Sequence, residues 1–207
     1  MIYLFSEYEK ITTEIEQLLL DKLPPRRREK ALRFRHSGGR ISCILGYILF
    51  LYGFRNIYKE TDLPDFDVTD NGKPYLEKYP DIHFNISHCD GAVACIFGDM
   101  PVGVDIQDIR NTTIYHAKRV CSDEEVERIE NAAEPELEFC RIWSVKEALS
   151  KLSGTGILFK DIRNLSPRGT NINTVFIEPN KYITGASYDK NADFSIHKLS
   201  LSQIINL

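Results

Sequence analysis

"IHFNISHCDGAVACIFGDMPVGVDIQDIR", residues 82–110, reads as three strands separated by two turns. Ile82, Phe84 and Ile86 fall on one face of the first run and His83, Asn85 and Ser87 on the other, the period-two pattern of a strand. His88-Cys89-Asp90-Gly91 turns the chain and Ala92–Phe97 returns as an apolar strand, so the pair predicts a hairpin. Gly98-Asp99-Met100-Pro101 punctuates before the third strand, 102–110. There Val102, Val104 and Ile106 alternate with Gly103, Asp105 and Gln107, which sets a carboxylate and an amide side by side on the polar face. Taken alone, that face fits a solvated strand edge.

Upstream, Ile2–Phe5 reads as a short strand. Ile11, Ile15, Leu18 and Leu19 give helical spacing from about Glu9 to Asp21, stopped by Pro24-Pro25. The basic segment "RRREKALRFR" (26–35) starts directly after Pro25, as a helix commonly does. "ISCILGYILFLYGF" (41–54), interrupted by Gly46 and Gly53, is too short to span a bilayer as a helix and predicts a buried core helix. Residues 61–81 are rich in Asp, Pro, Gly and Asn and predict a loop around "NGKPYL" (71–76). Downstream, Ser122 and Glu125 form a capping box at the start of an acidic helix. A second helix runs from about Glu136 to Leu152 and ends in "SGTG", whose glycines suit a C-cap. Strands follow near 173–178, 181–188 and 193–200. Each half orders helices before antiparallel strands, which predicts an α+β fold of two lobes, 1–100 and 101–207.

A chain of 207 residues can bury one substantial core or two small ones. Its composition is that of a soluble globular protein, 43% hydrophobic and 27% charged, and its net charge of −4 argues against a general nucleic-acid binder. Five cysteines, odd in number and without a C-x-x-C pair, read as reduced packed thiols and not as a disulfide framework or zinc site. "MIYLFSEYEK" has neither a basic n-region nor a small-residue cleavage site, so no secretory leader is expected. The absence of G-x-x-x-x-G-K-[ST] and G-x-G-x-x-G argues against a nucleotide hydrolase or kinase.

The most informative stretch is "WSVKEALSKLSGTG", Trp143 to Gly156. On a helix Trp143, Glu147 and Lys151 share one face, with Lys146 beside Glu147. The spacing alone fits equally an amphipathic helix carrying a Glu147–Lys151 surface ion pair. Three further motifs, "GKP" (72–74), "NISH" (85–88) and "GVD" (103–105), are each weak singly.

In their order and spacing these segments resemble the 4′-phosphopantetheinyl transferase superfamily, in its two-lobed, surfactin-synthetase-activating type. The family pattern (V/I)G(V/I)D followed some forty residues later by WxxKEAxxK appears as Val102–Asp105 and Trp143–Lys151, and the likeness extends from about residue 25 to 157. The resemblance implies two similar, pseudo-twofold-related α+β lobes, each with helices on a small antiparallel sheet, and coenzyme A bound between them. It implies transfer of the phosphopantetheine arm of coenzyme A to a serine of an apo acyl or peptidyl carrier protein. Adenosine 3′,5′-bisphosphate is released and Mg²⁺ is required.

By the same resemblance Asp105 and Glu147 hold the metal, with Gln107 or water in third place. Mg²⁺ prefers such oxygen ligands. Glu147 is the candidate general base, directly or through water, and Lys146 and Lys151 hold phosphate oxygens. Lys73 lies near the adenine and Ser87-His88 by the phosphates; without the family, His88 would read as a core histidine at a strand end. Arg27 and Lys30 match the 3′-phosphate positions of the family's basic block. Two departures stand out. The family arginine of the next helix, which also grips the 3′-phosphate, falls on Ser42, so either the nearest arginine, Arg40, reaches in through a local shift or Lys30 and Arg27 carry that load. Gln107 replaces the glutamate many relatives carry. A cytoplasmic monomer, without nucleic-acid or membrane partners, is expected. The competing reading is a non-catalytic module that binds coenzyme A or a carrier protein.

Overall fold

The run at 82–110 folds as three neighbouring strands in a computed structural model that describes residues 1–60, 63–109, 114–156 and 162–207. Arg110, the last residue of the predicted third strand, and Thr61 and Asp62 of the predicted loop lie outside the described residues. One sheet has the order β4-β5-β1-β9, built from β1 (Ile2–Phe5), β4 (His83–Cys89), β5 (Ala92–Gly98) and β9 (Ile196–Lys198). The other has the order β6-β8-β7, from β6 (Val102–Asp108), β7 (Asn171–Ile177) and β8 (Lys181–Ser187). β2 (Asp67–Val68) and β3 (Pro74–Tyr75) pair as a small hairpin inside the predicted loop. The predicted β4–β5 hairpin is present, with Cys89 opposite Ala92 and Gly91 at φ +71° in the turn. The molecule is therefore mixed α+β.

The helices in chain order are α1 (Thr13–Asp21), α2 (Pro25–Leu32), α3 (Ser37–Tyr58), α4 (Ile114–Val120), α5 (Asp123–Glu130), α6 (Pro135–Ser153) and α7 (Leu201–Ile205). Local chemistry sets several ends. Thr12 caps α1 by accepting from the Ile15 amide, and Pro25 opens α2. Both arms of the Ser122–Glu125 capping box start α5, and Gly154, left-handed at φ +69°, closes α6. The apolar run 41–54 lies inside a longer helix, α3, of 22 residues. By length and composition α3 is long enough to cross a membrane, but its apolar side chains are buried in the main core.

Alternation along the strands arranges four layers. Tyr3, Phe5, Val93, Cys95 and Phe97 face α3, while Ile2, Leu4, Ala94 and Ile96 face Val102, Val104, Ile106 and Ile183 of the second sheet. The outer face of that sheet carries α6, packed through Ala148, Leu149 and Leu152 against Ala186. The order is thus α3, first sheet, second sheet, α6.

Two features depart from the predicted halves. The third strand expected of the second half leaves it: β9 pairs in parallel with β1, Ile2 opposite Ile196, and α7 buries Ile204 in the core around α3. The free edge of β1 accepts the last strand because β5 occupies only one side of it. The short helices α4 and α7, of seven and five residues, have too few periodic positions to show in the sequence. The five cysteines are free, as their number and spacing predict. Burial pushes the Cys43, Cys89, Cys95 and Cys121 thiols up, as expected of packing residues.

Candidate functional site

β4 and β6 are edge strands of different sheets, and an edge presents backbone groups that need partners. Side chains of β4 supply them. Asn85 Oδ1 accepts the Val104 amide at 3.2 Å and Ser87 Oγ accepts the Ile106 amide at 3.3 Å. Both residues are buried, so the polar face of "NISH" is a seam between the sheets and not a solvent face. Asn85 carries no site role in the sequence reading. The signal for it was the alternation itself, which puts two buried hydrogen-bonding groups on one face of β4.

The seam brings β6 under α6. A Cβ on Gly103 would stand 2.1 Å from Ala148 O and 2.5 Å from Leu152 N, so only glycine permits this approach. One pleat along, Asp105 meets the same helix. Its Oδ1 accepts from Ser87 Oγ at 2.9 Å and from Lys151 Nζ at 2.6 Å, and Lys151 also donates to Ser87 at 2.8 Å. Glu147 Oε2 lies 3.8 Å from Lys151 Nζ. The Glu147–Lys151 pair is therefore part of a carboxylate–lysine–carboxylate cluster and not an isolated surface pair.

The electrostatics of this cluster are unusual. Asp105 is 1% exposed and its Oδ2 has no hydrogen-bond partner among the described residues, a costly state for a buried carboxylate oxygen. Burial, then the Asp105 charge, raise the Glu147 pKa to about 7, against the pull of Lys151. A raised carboxyl pKa means the folded state holds the proton more tightly, so its stabilising effect is lost as pH rises through about 7. Chelator-treated protein is expected to lose on the order of 2 kcal/mol of stability between pH 5 and pH 8 by urea unfolding. Glu147→Gln is expected to flatten that slope, and an unchanged slope would contradict the cluster.

Among the described residues no group of three His, Cys, Asp or Glu side chains stands ready to hold a metal. The pair here is two carboxylates, with the Gln107 amide half-buried on the same face of β6. An unpartnered buried oxygen, a second carboxyl and a nearby amide form an all-oxygen donor set, suited to a hard divalent cation.

Two adjoining cavities flank the cluster. One, of about 210 Å³, lies between α2, α3 and the β2–β3 hairpin and is lined by Arg27, Lys30, Ser42, Phe66 and His88 among others. The other, of about 290 Å³, shares the walls Gly72, Pro74 and Ile86 and is bounded by Lys73, Asn85 and Lys151. His88 is exposed at the rim, and lost solvation with the Lys151 cation holds its imidazole below the ordinary value. It is not the core histidine that its strand-end position alone suggests.

Three sequence-assigned residues sit elsewhere or act differently. Lys146 does not reach the cleft. It is 1% exposed, and its Nζ donates to Ile162 O and Arg163 O at 2.9 and 3.1 Å and pairs with Glu125 at 2.9 Å. Adjacent helical positions diverge by about 100°, so Glu147 facing β6 turns Lys146 toward α5. Arg40 is paired with Glu16 of α1 and does not line the cavity, whereas Ser42 does, 3.1 Å from the Tyr8 hydroxyl. Lys73 donates to Leu152 O at 2.5 Å, capping the C-terminus of α6. Trp143 stacks on Phe139, ring centroids 6.4 Å apart.

A family model described as the 4′-phosphopantetheinyl transferase superfamily matches residues 101–198, the segment that holds Asp105, Gln107, Glu147 and Lys151. The 4′-phosphopantetheinyl transferase Sfp of Bacillus subtilis strain 168 is 31% identical over 151 residues, 71% of this chain and 67% of its own length. The chain belongs to the 4′-phosphopantetheinyl transferase superfamily. Further members align similarly: a 4′-phosphopantetheinyl transferase of Bacillus subtilis at 32% over 69% of this chain, and psf-1 of Bacillus pumilus at 33% over 64%. These two alignments span 65% and 58% of the relatives' lengths, so the chain matches about two thirds or less of the superfamily members it resembles.

Proposed function

We propose that the protein transfers the 4′-phosphopantetheine arm of coenzyme A to a serine hydroxyl of an apo acyl or peptidyl carrier protein, releasing adenosine 3′,5′-bisphosphate. The observation that carries this reading is the orphaned Asp105 Oδ2 set beside Glu147 and Lys151, next to a cavity lined with cations. Family membership supports it, as do relatives whose names state that activity. On this reading the two sheet-and-helix halves are the pseudo-twofold lobes of one cytoplasmic monomer, with coenzyme A between them.

Asp105 and Glu147 would hold Mg²⁺, with the Gln107 amide or water in third place. When bound, the ion neutralises the diphosphate and stabilises charge on the departing bisphosphate. Lys151 is placed to hold a phosphate oxygen as a point charge, with Ser87 fixing its ammonium beside Asp105. Glu147, whose carboxyl pKa is raised to about 7 by burial and the Asp105 charge in the metal-free protein, is the candidate base that takes the serine proton directly or through one water. The nucleotide occupies the cavity of Arg27, Lys30 and Phe66, with His88 at the phosphate end.

Gln107→Glu adds a charged oxygen to the donor set, and is expected to tighten Mg²⁺ binding about tenfold by calorimetry, one charge being worth a kcal/mol or more here. Unchanged affinity would give the third place to water. The reading itself is tested by nucleotide release: adenosine 3′,5′-bisphosphate should appear only when coenzyme A, Mg²⁺ and apo carrier are all present. Binding of coenzyme A with no release would instead identify a binding module.

A further inference from the structure

The nucleotide end of coenzyme A carries a diphosphate and a separate 3′-monoester phosphate. If the Asp105–Glu147–Lys151 cluster takes the diphosphate, the monoester falls to the cations of the adjoining cavity. The arginine among them is already matched to a carboxylate. Arg27, buried to 7% exposure, has its Nε 2.6 Å from Asp65 Oδ1 and its guanidinium 3.5 Å over the Phe66 ring. Asp65 is itself fixed, its Oδ1 accepting the Phe66 amide at 2.9 Å while the Tyr47 hydroxyl donates to Pro64 O at 3.0 Å. The neighbouring Arg26 and Arg28 do not line the cavity and pair with Asp67 at 2.5 Å and Asp21 at 2.8 Å. Arg40 is drawn off to Glu16, and Ser42 lends the cavity only a neutral hydroxyl. Lys30, exposed at the rim, is the cavity's lysine without an ion-pair partner among the described residues.

We propose that Asp65 is a specificity-determining residue: by neutralising Arg27 it lets the protein use 3′-dephospho-coenzyme A nearly as well as coenzyme A. The inference rests on the transferase reading of the site. A single exposed lysine gives a monoester phosphate little, whereas an uncommitted buried arginine would hold it with charge-assisted hydrogen bonds. Asp65 therefore removes most of the reward for the 3′-phosphate. In the reaction with the dephospho form, the serine oxygen bonds to the phosphorus bearing pantetheine. The bond from that phosphorus to the bridging oxygen breaks, and adenosine 5′-monophosphate leaves with the electron pair while the serine proton passes to base.

The test compares kcat/KM for coenzyme A and 3′-dephospho-coenzyme A with one apo carrier, following bisphosphate or monophosphate release. The expected preference for coenzyme A is under about tenfold, and a preference above about 100-fold overturns the inference while leaving the transferase reading intact. Transfer from neither nucleotide overturns both. Asp65→Asn keeps an acceptor for the Phe66 amide but frees the Arg27 charge, and should raise the preference about tenfold. A folded Asp65→Asn protein with unchanged preference also overturns the inference, and the wild-type comparison decides alone if that variant fails to fold.

Discussion

Asp105→Asn is expected to lower phosphopantetheine transfer at least about 10³-fold, the loss of several kcal/mol of metal-borne stabilisation. The substitution keeps the shape and one acceptor for Ser87 and Lys151, so the strand and its seam should persist. It removes the negative charge that Lys151 neutralises at 2.6 Å and that helps lift the Glu147 pKa. Leaving a partly buried lysine without its carboxylate should cost about 1–2 kcal/mol, short of the several kcal/mol for a fully buried pair. The pH at which metal-free protein loses stability should also move down, because Glu147 no longer faces a second carboxylate. Single-turnover transfer and urea unfolding across pH read these effects separately. Near-normal turnover in the variant would mean that the cluster is structural.

Gly103→Ala should produce the largest structural effect. The added methyl would meet Ala148 O at 2.1 Å and Leu152 N at 2.5 Å, both backbone atoms that cannot rotate away. α6 must lift off β6, which costs about 3 kcal/mol on the scale of overpacked interiors and lowers the melting temperature by about 5–10 °C. Glu147 and Lys151 ride on that helix, so the folded fraction should also lose at least about 100-fold in transfer rate, each 1.4 kcal/mol being a factor of ten. Parent-like melting would show that the helix can yield. The glycine of "GVD" is on this account a spacing device, and the aspartate depends on it.

The sequence shows what is local. Alternation placed β4, β5 and β6, while Pro25, Ser122 and Gly154 marked helix ends that the structure keeps. Asp105, Glu147 and Lys151 do converge, because "GVD" and "KEALSK" fix their faces by strand and helix period. What tertiary packing decides was hidden. Whether Lys146 or Glu147 faces the cleft depends on which side α5 docks, and α5 claims Lys146 through Glu125. Arg40 was diverted by Glu16, a partner on a different helix. The parallel pairing of β9 with β1 joins segments nearly the whole chain apart, and three residues of strand carry no record of it. Ser87 and Asn85 looked like one polar face, and the second sheet converted that face into the seam that holds Asp105 in place.

The cluster where β4, β6 and α6 meet is proposed to perform group transfer to a carrier serine. The most direct measurement is the intact mass of an apo carrier protein after incubation with this protein, coenzyme A and Mg²⁺. The expected result is a gain of one phosphopantetheine, mapped by fragmentation to a single serine and abolished by chelator. Carriers of the fatty-acid, polyketide and nonribosomal-peptide classes that all keep their apo mass would contradict it.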